Sequence, residues 1–265
     1  MSTYIISDIH GCYRDFQNML DKISLSVTDQ LILAGDYIDR GKQNYEMLKW
    51  IEECPKNIQL VRGNHEEEFV RNIEFMLRMD QAEKLSSNLC SNKDGLLLYE
   101  SVKYFLKNQG SLGLYFDLYG TIRELLEKNM VTIEKLCQWA EIIQKMPYYY
   151  LGKSGGRAYV VVHGGYAEKL EEVSRFFSSM EEFYLYARKE SYLLGGIEHG
   201  TIIAGHTPTI VKGEFCFNKG NIFRYYNKRK DCVFYYIDCG CVFRERISGA
   251  KLACIRLENK EVFYV

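Results

Sequence analysis

Proline is scarce in this chain, and long apolar runs and long basic runs are missing. Three prolines occur in 265 residues, and none lies between positions 66 and 146. No segment approaches the roughly 20 consecutive apolar residues of a membrane-spanning helix, so a membrane partner is not expected. Lysine plus arginine number 34 against 35 for aspartate plus glutamate. This balance gives no electrostatic support for a nucleic-acid partner.

The chain also begins without the features of a secretory leader. Met1-Ser2-Thr3-Tyr4 leads directly into an apolar segment, with no basic stretch followed by a long apolar one. The nine cysteines are an odd number, so pairing within one chain would leave at least one thiol free. We therefore expect reduced thiols and a cytoplasmic location. Aromatic residues make up 14% of the chain, which favours a packed enzyme over a disordered chain.

Short apolar segments alternate with segments of helical spacing along most of the sequence. Between the first two, Phe16, Met19, Leu20 and Ile23 recur at helical intervals. Segments of this length, closed by Gly or a polar residue, are typical of buried strands. They lie at 4–6, 31–34, 58–61, 159–162, 201–204 and 234–237. The alternation predicts an α/β fold of packed sheets flanked by helices, with ligands bound beyond the carboxyl ends of the strands.

Residues 66–146 differ from the flanking sequence and are interpreted as a helical insertion within a single domain of residues 1–265. Thr132 can cap a helix that Pro147 stops. The segment 153–157, with its two glycines, predicts a turn between strands. Cys239-Gly240-Cys241 carries possible thiolate ligands, but no matching second pair is evident. Buried small apolar residues are the simpler interpretation of these cysteines.

Five polar blocks follow the predicted strands and contain four of the five histidines. They read Asp-Ile-His-Gly at 8–11, Gly-Asp-Tyr-Ile-Asp-Arg-Gly at 35–41, Gly-Asn-His-Glu at 63–66, His-Gly-Gly at 163–165 and Gly-His-Thr at 205–207. Together they offer carboxylate, imidazole and amide ligands but no thiolate. This mixture suits two divalent cations that hold a phosphate and activate a water molecule.

The first two blocks provide carboxylates, an imidazole and a guanidinium. Asp8 and His10 would share one face of an extended segment, since side chains alternate along it. The two carboxylate oxygens of Asp36 could bridge two cations. Arg40 could bind phosphate oxygens through its forked guanidinium, and Asp39 could orient a histidine. The structural alternatives are a strand that ends in a turn and a surface Asp–Arg pair.

The remaining blocks provide an amide and three imidazoles. Asn64 offers a carbonyl oxygen as a ligand, whereas His65 would point the other way from an extended backbone and suits a general acid. The alternative is a core histidine satisfied by Glu66 or by a backbone carbonyl. His163 and His206 end apolar strands and could equally be core histidines. Their recurrence beside glycine-rich turns favours ligands.

In this order the five motifs resemble the phosphoprotein phosphatase branch of the calcineurin-like metallophosphoesterases, over residues 8 to about 208. Within that branch, the chain looks like the bacterial and phage-type serine/threonine phosphatases and the related symmetric diadenosine tetraphosphatases. The glutamate at position 66 slightly favours the protein phosphatases, since the tetraphosphatases more often carry Asp at this position of the third motif. The resemblance implies a β-sandwich of mixed sheets flanked by helices.

The resemblance also implies a role for each motif residue. His65, supported by Asp39, would protonate the leaving group. Arg40 would bind the phosphate with help from Asn64. Asp8 and His10 would ligate the first metal ion. Asp36 would bridge to the second, which Asn64, His163 and His206 would complete.

A second phosphate-binding arginine is expected in a Trp-x-Arg element followed by an aromatic residue. Tyr186-Ala187-Arg188 with Tyr192 is the candidate, but Tyr186 stands where the resemblance expects Trp. The alternative for Arg188 is a solvated helix residue paired with Glu190 or Glu182.

These interpretations predict a metal-dependent phosphatase in which a metal-bridging hydroxide attacks phosphorus directly, without a covalent phosphoenzyme. Two divalent ions are expected, with Mn²⁺ first and Fe, Zn²⁺ or Mg²⁺ as alternatives. The substrates expected first are phosphorylated proteins or small phosphate esters. The alternative substrate is a bis(5'-nucleosyl)-tetraphosphate or another nucleotide. A third hypothesis is an inactive metal-binding or scaffold module. The sequence predicts no particular oligomeric state.

Overall fold

A computed structural model of the chain describes residues 2–83, 92–108, 115–128, 130–211 and 213–265. These residues form ten strands: β1 (Thr3–Ile6), β2 (Gln30–Leu33), β3 (Ile58–Leu60), β4 (Tyr149–Ser154), β5 (Arg157–Val162), β6 (Thr201–Ala204), β7 (Phe223–Asn227), β8 (Cys232–Tyr236), β9 (Ala253–Arg256) and β10 (Val262–Tyr264). They also form eight α-helices: α1 (Tyr13–Ile23), α2 (Asn44–Glu52), α3 (Asn64–Glu83), α4 (Asn92–Asn108), α5 (Thr121–Glu127), α6 (Ile133–Gln144), α7 (Met180–Tyr186) and α8 (Lys189–Leu194).

The strands make two mixed sheets of five strands each. The first has the order β10-β9-β1-β2-β3, and the second has the order β4-β5-β6-β8-β7. Strands β1, β2 and β3 run parallel, as do β5, β6 and β8. The remaining strands, β9 and β10 in the first sheet and β4 and β7 in the second, pair antiparallel with their neighbours. The carboxyl ends of three neighbouring strands therefore meet at one edge of each sheet.

The two sheets pack face to face through alternate residues of their central strands. Ile5 pairs with Ile32 in the first sheet, and Val161 pairs with Ile203 in the second. These four side chains are fully buried in one cluster between the sheets. Ile6, one position on from Ile5, points into the opposite cluster, because side chains alternate across a strand. The period-two pattern thus gives each sheet two buried faces.

Helices cover the outer face of the first sheet. Phe16 and Met19 of α1, Met47 of α2 and Trp139 of α6 are buried in one large cluster with Ile6. The helices between β3 and β4 join this cluster and form the helical insertion of the predicted fold class. A sandwich of mixed sheets flanked by helices is observed, so the predicted fold class is confirmed.

Local predictions at two connections are also confirmed. The Thr132 hydroxyl accepts a hydrogen bond from the backbone N–H of Lys135 at the start of α6. Gly155 and Gly156 form the tight turn between β4 and β5, with φ values of 56° and 79°. Within the described ranges, no helix combines the length and apolar character that crossing a bilayer requires.

The structure corrects the expectation of extended backbone at two motifs. Strand β1 ends at Ile6, and Asp8 and His10 adopt left-handed φ values of 53° and 48°. Asn64 and His65 are the first residues of helix α3 and do not continue a strand. The chain turns earlier than the pattern predicts because backbone groups of neighbouring loops bond to one another.

Candidate metal centre

The five motif loops meet at the carboxyl ends of the central strands of both sheets. The backbone N–H of Asp8 donates to the carbonyl of Gly35 at 3.1 Å, and that of His10 donates to the carbonyl of Asp36 at 2.9 Å. The backbone N–H of His206, from the second sheet, donates to the Asp8 carboxylate at 3.1 Å. The loops of the two sheets are therefore joined at this point.

Left-handed backbone is concentrated at the candidate site. Non-glycine residues rarely take positive φ, and they retain it only where the surroundings enforce it. Six predicted site residues do so: Asp8, His10, Asp36, Asp39, Arg40 and His206. Gly41 is needed here because a Cβ at this position would overlap the carbonyl oxygen of His10. Tight loops of this kind aim successive polar side chains into one small volume.

The imidazoles of His10 and His163 face the two oxygens of the same carboxylate. Their Nδ1 atoms lie 3.0 Å from the carbonyl of Ile38 and 2.9 Å from the carbonyl of Ala34, respectively. A carbonyl only accepts, so Nδ1 of each ring carries the proton. The Nε2 atoms lie 3.5 Å and 3.3 Å from Oδ2 and Oδ1 of Asp36. Each Nε2 therefore points at a carboxylate oxygen across a gap that suits a positive charge.

Four of the predicted ligand atoms converge around His163. Its Nε2 lies 3.0 Å from the side-chain oxygen of Asn64, 3.1 Å from Nδ1 of His206 and 3.3 Å from Oδ1 of Asp36. All four residues are buried. The sequence assigned these same four residues to one ion, and the structure brings them together.

The first predicted ligand group is arranged differently from the expectation. The side chains of His10, Asp36 and His65 lie within ligand distance of one another. The Asp8 carboxylate instead accepts hydrogen bonds from the Ser7 hydroxyl and from the His206 backbone. Nη1 of Arg40 lies 2.8 Å from Nε2 of His10. Asp8 is buried beside these groups without joining the His10–Asp36 contact.

His65 belongs to a chain of buried hydrogen bonds. Its Nδ1 donates to Oδ2 of Asp39 at 2.7 Å, and the other oxygen of Asp39 accepts the Thr121 hydroxyl. Nε2 of His65 is buried without a hydrogen-bond partner and lies 3.7 Å from Asp36. The sequence predicted the Asp39–His65 pair, but no motif marked Thr121 because it comes from the helical insertion.

Arg40 lies at the rim of the site under an aromatic ring from the same insertion. Nη2 of Arg40 donates to the hydroxyl of Tyr119 at 3.3 Å, and the guanidinium carbon lies 5.1 Å from the centre of that ring. The Tyr119 ring is 4.8 Å from the ring of His65. The insertion therefore contributes a wall beside two predicted site residues.

Arg188 lies next to His206. Its Nη1 donates to the backbone carbonyl of His206 at 3.1 Å, while only its backbone N–H contacts Glu190. The ring of Tyr186 stands 6.4 Å from that of His206, at an angle of 88°. The guanidinium therefore faces the candidate site and does not form the ion pair with Glu190 or Glu182 that was the structural alternative.

Glu66 holds the loops together. The structural alternative for His65 required a bond between its ring and Glu66, and that bond is not formed. The fully buried carboxylate of Glu66 accepts backbone N–H groups from Asp36 at 2.7 Å, Tyr37 at 2.8 Å and Gly63 at 3.0 Å. Burial raises the pKa of Glu66 to about 7, and the Asp36 charge adds to this shift. The signal in the sequence was its place three residues after Gly63.

The pKa values of the central groups indicate an electrostatic potential around Asp36 and His163 that favours positive charge. Burial opposes the charged form of His163, but Asp36 and Asp8 outweigh it and raise its pKa to about 9. Burial likewise opposes ionisation of Asp36, but His163 and His65 hold its pKa well below the usual range. Burial and His163 lower the pKa of His206. The carboxylates therefore favour the binding of cations among the neighbouring imidazole rings.

A further carboxylate lies behind Asp8 and was not assigned a role from the sequence. Asp238 follows β8, is buried, and accepts the backbone N–H of Gly240 at 2.9 Å. Burial raises the pKa of Asp238 to about 6, and it raises the pKa of Asp8 well above the usual range with help from the Asp238 charge. Carboxylates packed this closely are stabilised by bound cations.

The donor set fits divalent metal ions. It consists of buried oxygen and nitrogen atoms, and His10 and His163 donate their other ring nitrogen to backbone carbonyls, as metal-ligating histidines do. The two oxygens of Asp36 face different histidines, which is the arrangement that a carboxylate shared by two ions requires. The fold and this cluster together are those of a metal-dependent hydrolase built on a sandwich of two mixed β-sheets.

The chain belongs to the calcineurin-like phosphoesterase family, which it matches over residues 1–231. This is a family of metal-dependent phosphate-ester hydrolases, so the resemblance inferred from the five motifs is confirmed.

Several curated proteins named bis(5'-nucleosyl)-tetraphosphatase, symmetrical, are similar to parts of the chain. The Haemophilus ducreyi protein is 29% identical over 142 residues, which is 49% of this chain and 53% of that protein. The protein of Buchnera aphidicola subsp. Baizongia pistaciae is 32% identical over 110 residues, or 41% and 38% of the two chains. The chain thus spans about half the length, or less, of these relatives.

Two solved structures show the same fold at low sequence identity. A candidate diadenosine tetraphosphatase aligns with 100% of this chain and 92% of its own, with a TM-score of 0.55 and 13% identity. A Saccharomyces cerevisiae serine/threonine phosphatase with similarity to human PP5 aligns with 100% and 79%, with a TM-score of 0.54 and 13% identity. At this identity the likeness shows the fold alone.

Proposed function

We propose that the protein is a dinuclear-metal-dependent phosphoesterase that hydrolyses phosphate monoesters of proteins or small molecules. The observation that carries this proposal is the convergence of His10 and His163 on the two oxygens of Asp36. A structural role for these residues would not require buried carboxylates and imidazoles from both sheets to face one another.

Six residues would hold the two ions, and we propose Mn²⁺ as the metal because three donors are hard oxygens, three are imidazole nitrogens and none is a thiolate. When bound, such ions lower the pKa of water and neutralise phosphate charge. Asp36 would be shared, while His10 and Asp8 would complete one ion. The other would be completed by Asn64, His163 and His206.

We assign the proton donor to His65. Its Nε2 is buried with no hydrogen-bond partner, so it is free to bond to the oxygen of a leaving group. Asp39 fixes the ring through Nδ1 at 2.7 Å and favours the protonated form. Burial opposes that form, but the Asp36 and Asp39 carboxylates raise the pKa of His65.

Two arginines would bind phosphate oxygens from opposite sides. Arg40 and Arg188 each donate to groups at the rim of the site, and both residues are exposed enough to reach a ligand. A guanidinium binds phosphate oxygens in a forked geometry. Placed on developing negative charge, such donors stabilise the transition state.

Dinucleoside tetraphosphates are the second candidate substrates, and two observations favour them. The curated relatives with partial identity are named symmetrical tetraphosphatases. In addition, Tyr119 and Tyr186 lie beside Arg40 and His206 at the rim, where aromatic rings can stack on bases. The sequence favoured protein phosphatases only through Glu66. The observed role of Glu66 is to hold the loops together, which does not favour phosphoproteins over dinucleoside tetraphosphates.

A substrate comparison tests the proposal. The purified protein is incubated with Mn²⁺ and, separately, with p-nitrophenyl phosphate, a phosphoserine peptide and diadenosine tetraphosphate. Release of phosphate from the first two supports a phosphomonoesterase, whereas formation of ADP from the last supports the second candidate. No turnover of any of the three with Mn²⁺, Mg²⁺, Fe²⁺ or Zn²⁺ contradicts both and favours the scaffold hypothesis.

Substitutions at two positions test the site assignment itself. Asp8→Asn and His65→Ala should each reduce turnover at least about a hundredfold, because they remove a ligand and the proton donor. Circular dichroism should remain that of the wild type. Full activity in both folded variants would contradict the assignment.

The cytoplasmic location and the single catalytic domain over residues 1–265 remain predictions.

A further inference from the structure

Two thiols and a carboxylate meet beside the candidate centre but outside its ligand set. The Sγ atoms of Cys12 and Cys241 and a carboxylate oxygen of Asp15 all lie within 4.8 Å of one another. The sequence singled out Cys239-Gly240-Cys241 as a possible thiolate motif without a second pair. The tertiary structure supplies the missing partners, Cys12 and Asp15, from the start of α1.

Separate elements hold the three donors in place. Cys12 is the residue before α1, and Asp15 lies in the first turn of that helix. Cys241 begins a short 3-10 helix after β8, and Gly240 turns the chain toward α1 with a φ of 79°. Asp15 and Cys241 are buried, while Cys12 is half-buried. The cluster therefore has a fixed geometry and one side open to solvent.

We propose that Cys12, Asp15 and Cys241 form a site for a thiophilic divalent cation such as Zn²⁺. Zinc binds thiolates at about 2.3 Å and carboxylate oxygens at about 2.0–2.2 Å in tetrahedral geometry. Donor atoms arranged in this way lie less than about 4 Å apart, so the observed limit of 4.8 Å leaves only small adjustments. The fourth position would be open to water.

Charge balance supports a cation at this point. Two thiolates and one carboxylate carry three negative charges, and a divalent ion offsets two of them. The guanidinium of Arg244 forms an ion pair with Oδ1 of Asp15 and supplies the third positive charge. Because a carboxylate has two oxygens, this ion pair does not exclude Asp15 as a ligand. A charged group bonded to a ligating carboxylate in this way also fixes its orientation.

The thiolate donors separate this site from the dinuclear centre, whose donors are oxygen and nitrogen only. The two sites are nonetheless adjacent, because Cys12 follows His10 by two residues and its thiol donates to the His10 carbonyl at 3.7 Å. An ion on Cys12 and Cys241 would tie the start of α1 to the segment 239–243. Occupation should therefore also raise the thermal unfolding temperature.

Cobalt titration of the reduced protein tests the proposal. Thiolate-bound Co²⁺ gives an intense near-ultraviolet charge-transfer absorption, which ions held by oxygen and nitrogen lack. We expect this absorption to saturate at one thiolate-bound ion per chain and to be displaced by Zn²⁺. Cys12→Ser and Cys241→Ser should each lose at least about half of it, because each removes one of two thiolates. Asp15→Asn should weaken binding about tenfold.

Cys54→Ser is the matched control, since Cys54 is a half-buried thiol outside the cluster, and it should titrate like the wild type. Absence of the absorption in the wild type overturns the proposal. An absorption that keeps its full wild-type intensity in folded Cys12→Ser and Cys241→Ser overturns it as well. A Cys12–Cys241 disulfide in protein alkylated directly on lysis would show an oxidised pair in place of a metal site, and would also overturn it.

Discussion

Several residues at the candidate centre adopt unfavourable backbone conformations that direct their side chains into the site. Asp8, His10, Asp36 and His206 have left-handed backbone, which costs on the order of 1 kcal/mol or more for each non-glycine residue. The surrounding backbone bonds and the four groups bonded to Glu66 enforce these conformations. The result is that ring nitrogens and carboxylate oxygens from separate loops face one another.

Thr121 should be a positioning residue for the proposed proton donor. Thr121→Val removes the hydroxyl that bonds to Asp39 and should lower kcat for an alkyl phosphate about tenfold. The decrease should be much smaller for p-nitrophenyl phosphate, because nitrophenolate leaves without a proton. KM should change little for either substrate.

Thr121→Ser keeps the hydroxyl and is the control for this substitution. It should restore most of the turnover of the alkyl phosphate. If Thr121→Val lowers kcat equally for both leaving groups, the effect is structural, and the positioning role of Thr121 is wrong.

Asp117 should make stability depend on pH. Burial raises its pKa from 3.8 to about 6, although the N–H groups of Ile122 and Arg123 oppose the shift. The folded state therefore binds the proton more tightly than the unfolded state. The contribution of Asp117 to the free energy of unfolding should decrease by on the order of 2 kcal/mol between about pH 4 and pH 7.

Asp117→Asn removes this titration. Urea unfolding of the wild type and the variant at several pH values measures it as a change in the difference between the two proteins. A difference that is constant across this range would contradict the raised pKa.

At the scale of elements, short buried strands lead into the site, and helices cover the outer face of the first sheet. Each of β1, β2, β5 and β6 has at most six residues, and each ends just before a motif. Because side chains alternate, one face of each strand packs between the sheets while the other packs against the outer layer. The strands cannot slide by one residue without exposing apolar side chains, so the position of each motif is fixed.

The N-cap of α6 offers a test of the insertion without touching the site. Thr132→Ala removes the side-chain acceptor for the N–H of Lys135 and should lower the free energy of unfolding by about 1 kcal/mol. Turnover of the folded enzyme should not change. Urea denaturation measures the effect, and Thr132→Ser, which keeps the oxygen, should retain wild-type stability. An unchanged midpoint for Thr132→Ala would show that the cap contributes nothing.

At the scale of the whole molecule, the candidate centre lies at the junction of the two sheets. The first sheet carries Asp8, His10 and Asp36 on its loops, while the second carries His163 and His206. Metal ions held by both groups would link the sheets where their loops meet. The stability of the sandwich should therefore be coupled to metal occupancy.

Removal of metal should lower the thermal unfolding temperature as well as abolish turnover. Chelation leaves Asp8, Asp36 and Asp238 buried together without compensating cations, and such burial is costly. Differential scanning calorimetry before and after chelation measures the shift, and added Mn²⁺ should reverse it. An unfolding temperature that stays constant after complete removal of metal would contradict the predicted coupling.

The sequence by itself determined the fold class, six of the ten described strands and the polar residues that meet at the candidate site. It could do so because period-two and helical spacing are local patterns, and because each motif follows its strand directly. It missed Thr121 and Tyr119, which the insertion brings to the site from about 80 residues beyond Asp39 and Arg40. It also misjudged the backbone at Asp8 and Asn64.

Only the tertiary structure decided the partners of each polar atom. Which nitrogen of His10 faces Asp36, and which thiols lie beside Cys241, depends on bonds between segments far apart in the chain. Local spacing carries no information about such distances, since they are set by the packing of one sheet on the other. The chemistry of the site was therefore readable in the sequence, but its geometry came from the packed sheets.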